Sequence, residues 1–174
     1  MLSAAPIVIH MYVVTFRFLL KLSGGTDELH RDNHATVSKV CEALKAHGIK
    51  PWFDSERMEH NIVDQMTNGI DDSACVAVFI TSRYIDKVRS NNSNDNCKTE
   101  FNYARNQKSA KLMLAIPMEP RCMDASSWKG AVGATLGSEL YHANFAFDID
   151  EEPAKFRDNV KILAERIKTL TARV

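Results

Sequence analysis

ACVAVFI, residues Ala74–Ile80, is the stretch on which the fold turns. It shows no alternation of polar and apolar residues, so both of its faces must be covered, as in an interior strand of a parallel sheet. Upstream, Ile62, Val63, Met66 and Ile70 recur at helical spacing and predict an amphipathic helix. Before that helix comes a charged loop, Ser55 to Asn61, and before the loop a short apolar run, Ile49 to Asp54, read as a strand. Pro51 removes a ladder donor from that run and makes it an edge or irregular strand. An earlier helix is marked by Val37, Val40, Cys41 and Leu44, with Gly48 where a helix C-terminal glycine belongs. Downstream, the polar run Asn91 to Asp95 is a loop that opens a helix carrying Cys97, Phe101 and Ala104 on one side. LMLAIPM, Leu112 to Met118, is the next strand. A less regular stretch with Trp128, Gly133 and Gly137 leads to a further strand around Leu140 to Phe147. Phe156, Val160, Leu163, Ile167 and Leu170 make the closing helix amphipathic.

Strands alternating with helices in this way imply βαβ crossovers. The expected fold is α/β, a flavodoxin-like three-layer sandwich around a central five-stranded parallel sheet, with ligands bound at the carboxyl ends of the strands. No internal repeat, low-complexity tract or linker interrupts the pattern. The chain divides into an apolar N-terminal segment, residues 1–24, expected to supply the first strand, and one domain over residues 25–174. Leu2 to Leu22 is largely apolar, but it has no basic residues before it, and Arg17 lies inside it. An arginine at a bilayer centre costs roughly 2.5–3.5 kcal/mol. The β-branched and aromatic residues Ile7 to Phe18 suit a buried strand instead of a membrane segment.

Composition narrows the function. Lys plus Arg and Asp plus Glu are 22 each, so no net field draws the chain to nucleic acid or to an anionic membrane. Cys41, Cys75, Cys97 and Cys122 form no CxxC pair, and three lie in apolar stretches, which fits a reduced, cytoplasmic setting. The six histidines include His30 and His34, four apart, but no carboxylate completes a ligand set, and no metal is expected. GxGxxG, GxxxxGK[ST] and GxSxG are all absent, which argues against the common nucleotide folds and hydrolases. Gly24-Gly25 reads more readily as a turn than as a phosphate cradle. Asp71 and Asp72 precede the third strand instead of ending a first one, so a Mg2+ phosphoacceptor site is not formed.

More specific are WFDSERMEHNI (from Trp52), GIDDSACVAVFITSRYI (from Gly69), DNCKTEFNYA (from Asp95), IPMEP (from Ile116), and Trp128 followed by LGSELY. In this order and spacing they resemble the TIR (Toll/interleukin-1 receptor) domain family, from about Thr26 to the C-terminal helix. The resemblance implies signalling by association with other TIR domains, as in innate immunity. It also implies, for members that cleave NAD+, a catalytic Glu in a C-x-x-E-[LF] motif. CKTEF carries that Glu over to Glu100. On a helix Glu100 lies about 60° from Cys97 and about 40° from Ala104, at the border of the buried stripe, neither fully solvated nor fully buried. Trp52 falls where the family places an aromatic near the substrate, and an ordinary core Trp is the competing reading.

The same resemblance places substrate contacts at Trp52, Asp54, Gly25 and Thr26. It also makes Asp54 to Asn61 an interaction loop, with Met58, Asn61 and Ile62 offered to a neighbouring TIR domain. Asn61 stands where the family has Gly, a mild change because Asn tolerates a left-handed backbone. Asn96 stands where Trp is frequent, and Arg17 and Lys21 replace the acid and hydroxyl residues usual around the first strand. The expected function is thus TIR signalling by self-association with NAD+ cleavage at Glu100, NAD+ being a substrate and no cofactor being required. The alternative is a non-catalytic TIR interaction or adaptor module.

Overall fold

The computed structural model describes residues 13–16, 28–53, 62–92 and 95–172. Within them the order is β1 (Val13–Phe16), α1 (Asn33–Lys45), β2 (Lys50–Phe53), α2 (Ile62–Asp71), β3 (Cys75–Ile80), α3 (Ser82–Arg89), α4 (Asn96–Gln107), β4 (Met113–Pro117), α5 (Gly130–Leu136) and α6 (Pro153–Thr171), with short 3-10 turns around β4 and before α5. The described strands form one parallel sheet in the order β2-β1-β3-β4. This is the doubly wound arrangement, in which the chain reverses direction across the sheet between β1 and β3.

The run that decides the fold behaves as its sequence requires: all six residues of β3 are buried. Phe79 and Ala77 face one core with α1 and α6, while Val76, Val78 and Ile80 face a second with α2, α3, α4 and α5. Alternation across the pleat thus divides the molecule into three layers. β2 lies at the sheet edge, the position expected for a strand that carries Pro51. Gly48 ends α1 with φ +76°; its N–H donates to the Lys45 carbonyl, and the Ile49 N–H donates to the Leu44 carbonyl. That is the six-to-one and five-to-two pair of a Schellman motif, closed by contact of Ile49 and Leu44 in the core.

β1 comes from the apolar N-terminal segment, where the first strand was expected, and is paired on both sides. Two readings change. Ser82 to Arg89 is a helix that the sequence reading did not separate from the strand before it. Its signals are the Thr81 cap, whose Oγ1 accepts from the Tyr84 N–H, and Ile85 and Val88 spaced three apart and buried. Most consequential is Leu140 to Phe147, which among the described residues forms no strand, so the sheet there has four strands and not five. One ladder-like bond joins it to β4, from the Phe145 N–H to the Pro117 carbonyl at 2.8 Å. Pro117 has no N–H to return, and side chains take the neighbouring groups. The Asn159 amide accepts from the Asn144 N–H, the Asn144 amide accepts from the Ala146 N–H, and Arg31 donates to the carbonyls of Phe145 and Phe147. The stretch is apolar enough to be buried at Ala143, Phe145 and Phe147, but its backbone is tied by side chains.

Candidate functional site at the carboxyl edge of the sheet

β3 ends at Ile80 and turns at once into α3, so the first turn of α3 sits at the carboxyl edge. α4 then returns the chain to the start of β4, which puts its N-terminal half nearer that edge. Asp95 caps α4, its carboxylate accepting from the Cys97 N–H at 2.9 Å. One turn further, Glu100 is 5 % exposed, and the buried side of the helix consists of Cys97, Glu100, Phe101 and Ala104. The structure therefore sinks Glu100 deeper than its angular position suggests, because α3 packs over the flank that a lone helix would leave open.

Tyr84, in the first turn of α3, meets Phe101 edge to face at 6.4 Å between ring centroids. Burial pushes the Tyr84 phenol well above its ordinary range, and the negative charges of Glu100, Cys97 and Asp95 push the same way. Burial likewise raises the Cys97 thiol to about 12; Lys87 opposes the rise, and Glu100 and Asp95 add to it. Tyr84 and Cys97 thus stay protonated at neutral pH, and Glu100 shares the buried side of α4 with Cys97, Phe101 and Ala104.

Trp52 is half-buried at the end of β2, in lateral register with Thr15, Val76 and, through β3, Met113. Val76 and Met113 belong to the core shared with α2 and α4, so Trp52 and Glu100 lie on the same side of the sheet. The Trp52 ring lies against Gly69 of α2: a Cβ built there would come within 3.0–3.2 Å of three ring atoms. The aromatic expected near the substrate is thus a packing partner of α2. Ile62 is the first residue of α2. Gly25, Thr26, Asp54, Met58 and Asn61 lie outside the described residues.

Other groups at this edge were not singled out from the sequence. Glu119, 4 % exposed and two residues after β4, accepts from the Ser82 N–H and Ser82 hydroxyl, both at 2.8 Å, so a carboxylate of the chain itself fills the N-terminus of α3. Arg31 donates to the carbonyls of Met118, Phe145 and Phe147. Glu28 accepts from the Arg121 backbone N–H and guanidinium. Glu119 stands in the IPMEP motif, whereas nothing local marks Arg31, whose acceptors lie about a hundred residues away in the chain. Among the described residues no group of three His, Cys, Asp or Glu side chains is arranged to hold a metal, and no helix is long and apolar enough to cross a membrane.

A doubly wound α/β domain with a buried acid on the second helix after its third strand defines the class. A family model described as TIR domain matches residues 29–158, and the chain belongs to the TIR domain family. Its function is read accordingly as TIR-domain signalling through association between TIR domains. Among solved structures it is similar to the TIR domains of the activated Roq1 resistosome directly recognizing the pathogen effector XopQ, at 15 % identity and a TM-score of 0.44, over 94 % of this chain and 85 % of that one. No curated protein matches it.

Proposed function

We propose that this TIR domain cleaves NAD+ once associated with further TIR domains, and that Glu100 is its catalytic residue. The observation that carries the reading is the burial of Glu100 in the CKTEF segment of α4, on the same buried face as the protonated Cys97 thiol. A carboxylate in such surroundings is poorly screened by water and acts strongly on nearby positive charge.

In the reaction, the bond between C1′ of the ribose and the nicotinamide nitrogen breaks, and its electron pair leaves with nicotinamide. Positive charge then builds on C1′ and the ring oxygen. Glu100 stabilises that charge, water adds at C1′, and one proton is released with ADP-ribose and nicotinamide. Trp52, Asp54, Gly25 and Thr26 are assigned to substrate contacts, and Met58, Asn61 and Ile62 to contact with a neighbouring TIR domain. NAD+ enters as substrate, with no resident cofactor.

Purified chain, free and clustered on a multivalent support, is incubated with NAD+ and nicotinamide is measured. Release by the clustered chain that is lost in Glu100→Ala is the expected result. Activity surviving Glu100→Ala removes the catalytic assignment, and inactivity of the clustered wild type leaves the fold serving as an interaction module.

A further inference from the structure

We infer that the cavity at the open edge of β4 is a binding site for a small monocarboxylate, held by Arg166 and Lys111 against an apolar wall. It is separate from Glu100. Leu114 and Ile116 of β4 and Leu163 of α6 line it and belong to the core on the α1 and α6 side, whereas Cys97, Phe101 and Ala104 of α4 belong to the other core. The cavity lies where residues 140–147 form no strand. The Met118 N–H donates to the Ile80 carbonyl, so Met118, Ile116 and Leu114 turn their backbone groups to β3, and Pro117 and Ala115 turn theirs to the open side. The Pro117 carbonyl takes the Phe145 N–H, but two residues back Ala115 meets a partly open space of about 20 Å3, whose far wall is the chain from Glu139 to Ala143. A cavity needs roughly 10–15 Å3 to hold one water, so this one takes a carboxyl group and leaves its stem toward the opening.

Charge makes the site selective. Arg166 is half-buried, and its Nε is sealed from solvent with no hydrogen-bond partner among the described residues. Lys111 is exposed and lines the same cavity, as does Glu139. The ion pairs among the described residues include none to Arg166, Lys111 or Glu139. A cation taken partly out of water without a counter-ion is penalised, and an anion beside it relieves that penalty. Two cations and one carboxylate leave a single positive charge, which suits a monoanion better than a dianion. The planar guanidinium matches the two oxygens of a carboxylate, and the Ala115 N–H adds a donor from the strand edge. Leu114, Ile116 and Leu163 receive a short alkyl stem. Tyr141 and His142 are the other titratable groups lining the cavity. Burial, and then the charge of Arg166, hold the His142 imidazole below its ordinary range. A bound carboxylate offsets Arg166 and so favours the imidazolium.

The whole chain is titrated with propionate at constant ionic strength, with sodium chloride as the control, and the His142 imidazole is followed by NMR against pH. Propionate is expected to raise the His142 titration saturably, and chloride to leave it in place. In Arg166→Met the titration starts higher, because the neighbouring charge is gone, and propionate affinity falls by at least about tenfold. Glu139→Gln removes the competing carboxylate and tightens propionate binding. Lys111→Met, at an exposed position, weakens it with the thermal midpoint unchanged, which keeps the inference open to refutation if Arg166→Met does not fold. A His142 titration that is the same in propionate and in chloride overturns the inference, as does a propionate response that survives either Arg166→Met or Lys111→Met at full strength. Inorganic phosphate outcompeting propionate overturns the choice of a monocarboxylate.

Discussion

Arg31 joins elements that the chain does not join. Its guanidinium donates to the carbonyls of Phe145 at 2.9 Å, Phe147 at 2.5 Å and Met118 at 2.5 Å, so one side chain ties the end of β4 to the segment beside it. Replacing it by Met keeps most of the stem and removes all three bonds. A hydrogen bond to a charged group contributes about 1.5–3 kcal/mol, but the three share one half-buried cation and water can reach part of what is exposed. A loss of about 3 kcal/mol is therefore expected for Arg31→Met, or roughly 6–12 °C in thermal midpoint for a domain of this size. Arg31→Lys, with a single nitrogen that cannot span three carbonyls, should lose about half as much. Lys39→Met is the control: it breaks the Lys39–Asp150 pair, whose side chains are 51 % and 74 % exposed, and should cost well under about 1 kcal/mol. Denaturant unfolding gives the energies, and amide exchange should show the Phe145 N–H losing more protection than Ile116. An Arg31→Met loss no larger than that of Lys39→Met would refute the clamp.

The other expectations rest on single groups. Asn33 Oδ1 is buried with no hydrogen-bond partner among the described residues, so Asn33→Leu should raise stability by about 1 kcal/mol in chemical unfolding; a comparable drop would mean that the oxygen is paired. All four cysteines are free and buried, and burial pushes each thiol up to about 12. At pH 8 the folded chain should resist a thiol reagent, and all four should react on unfolding, whereas fast native labelling of any one contradicts this. At Glu28 burial raises the pKa, but the hydrogen bonds and charge of Arg121 outweigh it and the net shift is downward. Its contribution is present above the unfolded carboxylate range and disappears as pH falls through the lowered folded value, so Glu28→Gln should flatten the acid limb of stability against pH. An unchanged limb would show that the pair is not formed.

What could be read in the sequence was what depends on near neighbours in the chain. Val37, Val40, Cys41 and Leu44 declare their helix because helical period and burial coincide, and Gly48 declares its end because only a left-handed residue closes that motif. Pro51 placed β2 at an edge by a missing N–H alone. Leu140 to Phe147 misled because hydrophobicity reports burial and not backbone pairing. Whether the stretch joins the ladder depends on Pro117, Asn144, Asn159 and Arg31, three of them distant in sequence. Of the candidate site, Glu100 was legible through its motif, but its depth of burial was not, since α3 covers it and α3 was not recognised. Tyr84, Glu119 and Arg31 act across elements, and a one-dimensional pattern carries no sign of which elements meet.

Nicotinamide release from NAD+ by clustered chain, compared with clustered Glu100→Ala, tests the central claim most directly. Release by the wild type with loss of at least about a hundredfold in the variant, both remaining folded, is the expected result. Equal release by the two, or none from the clustered wild type, would contradict it.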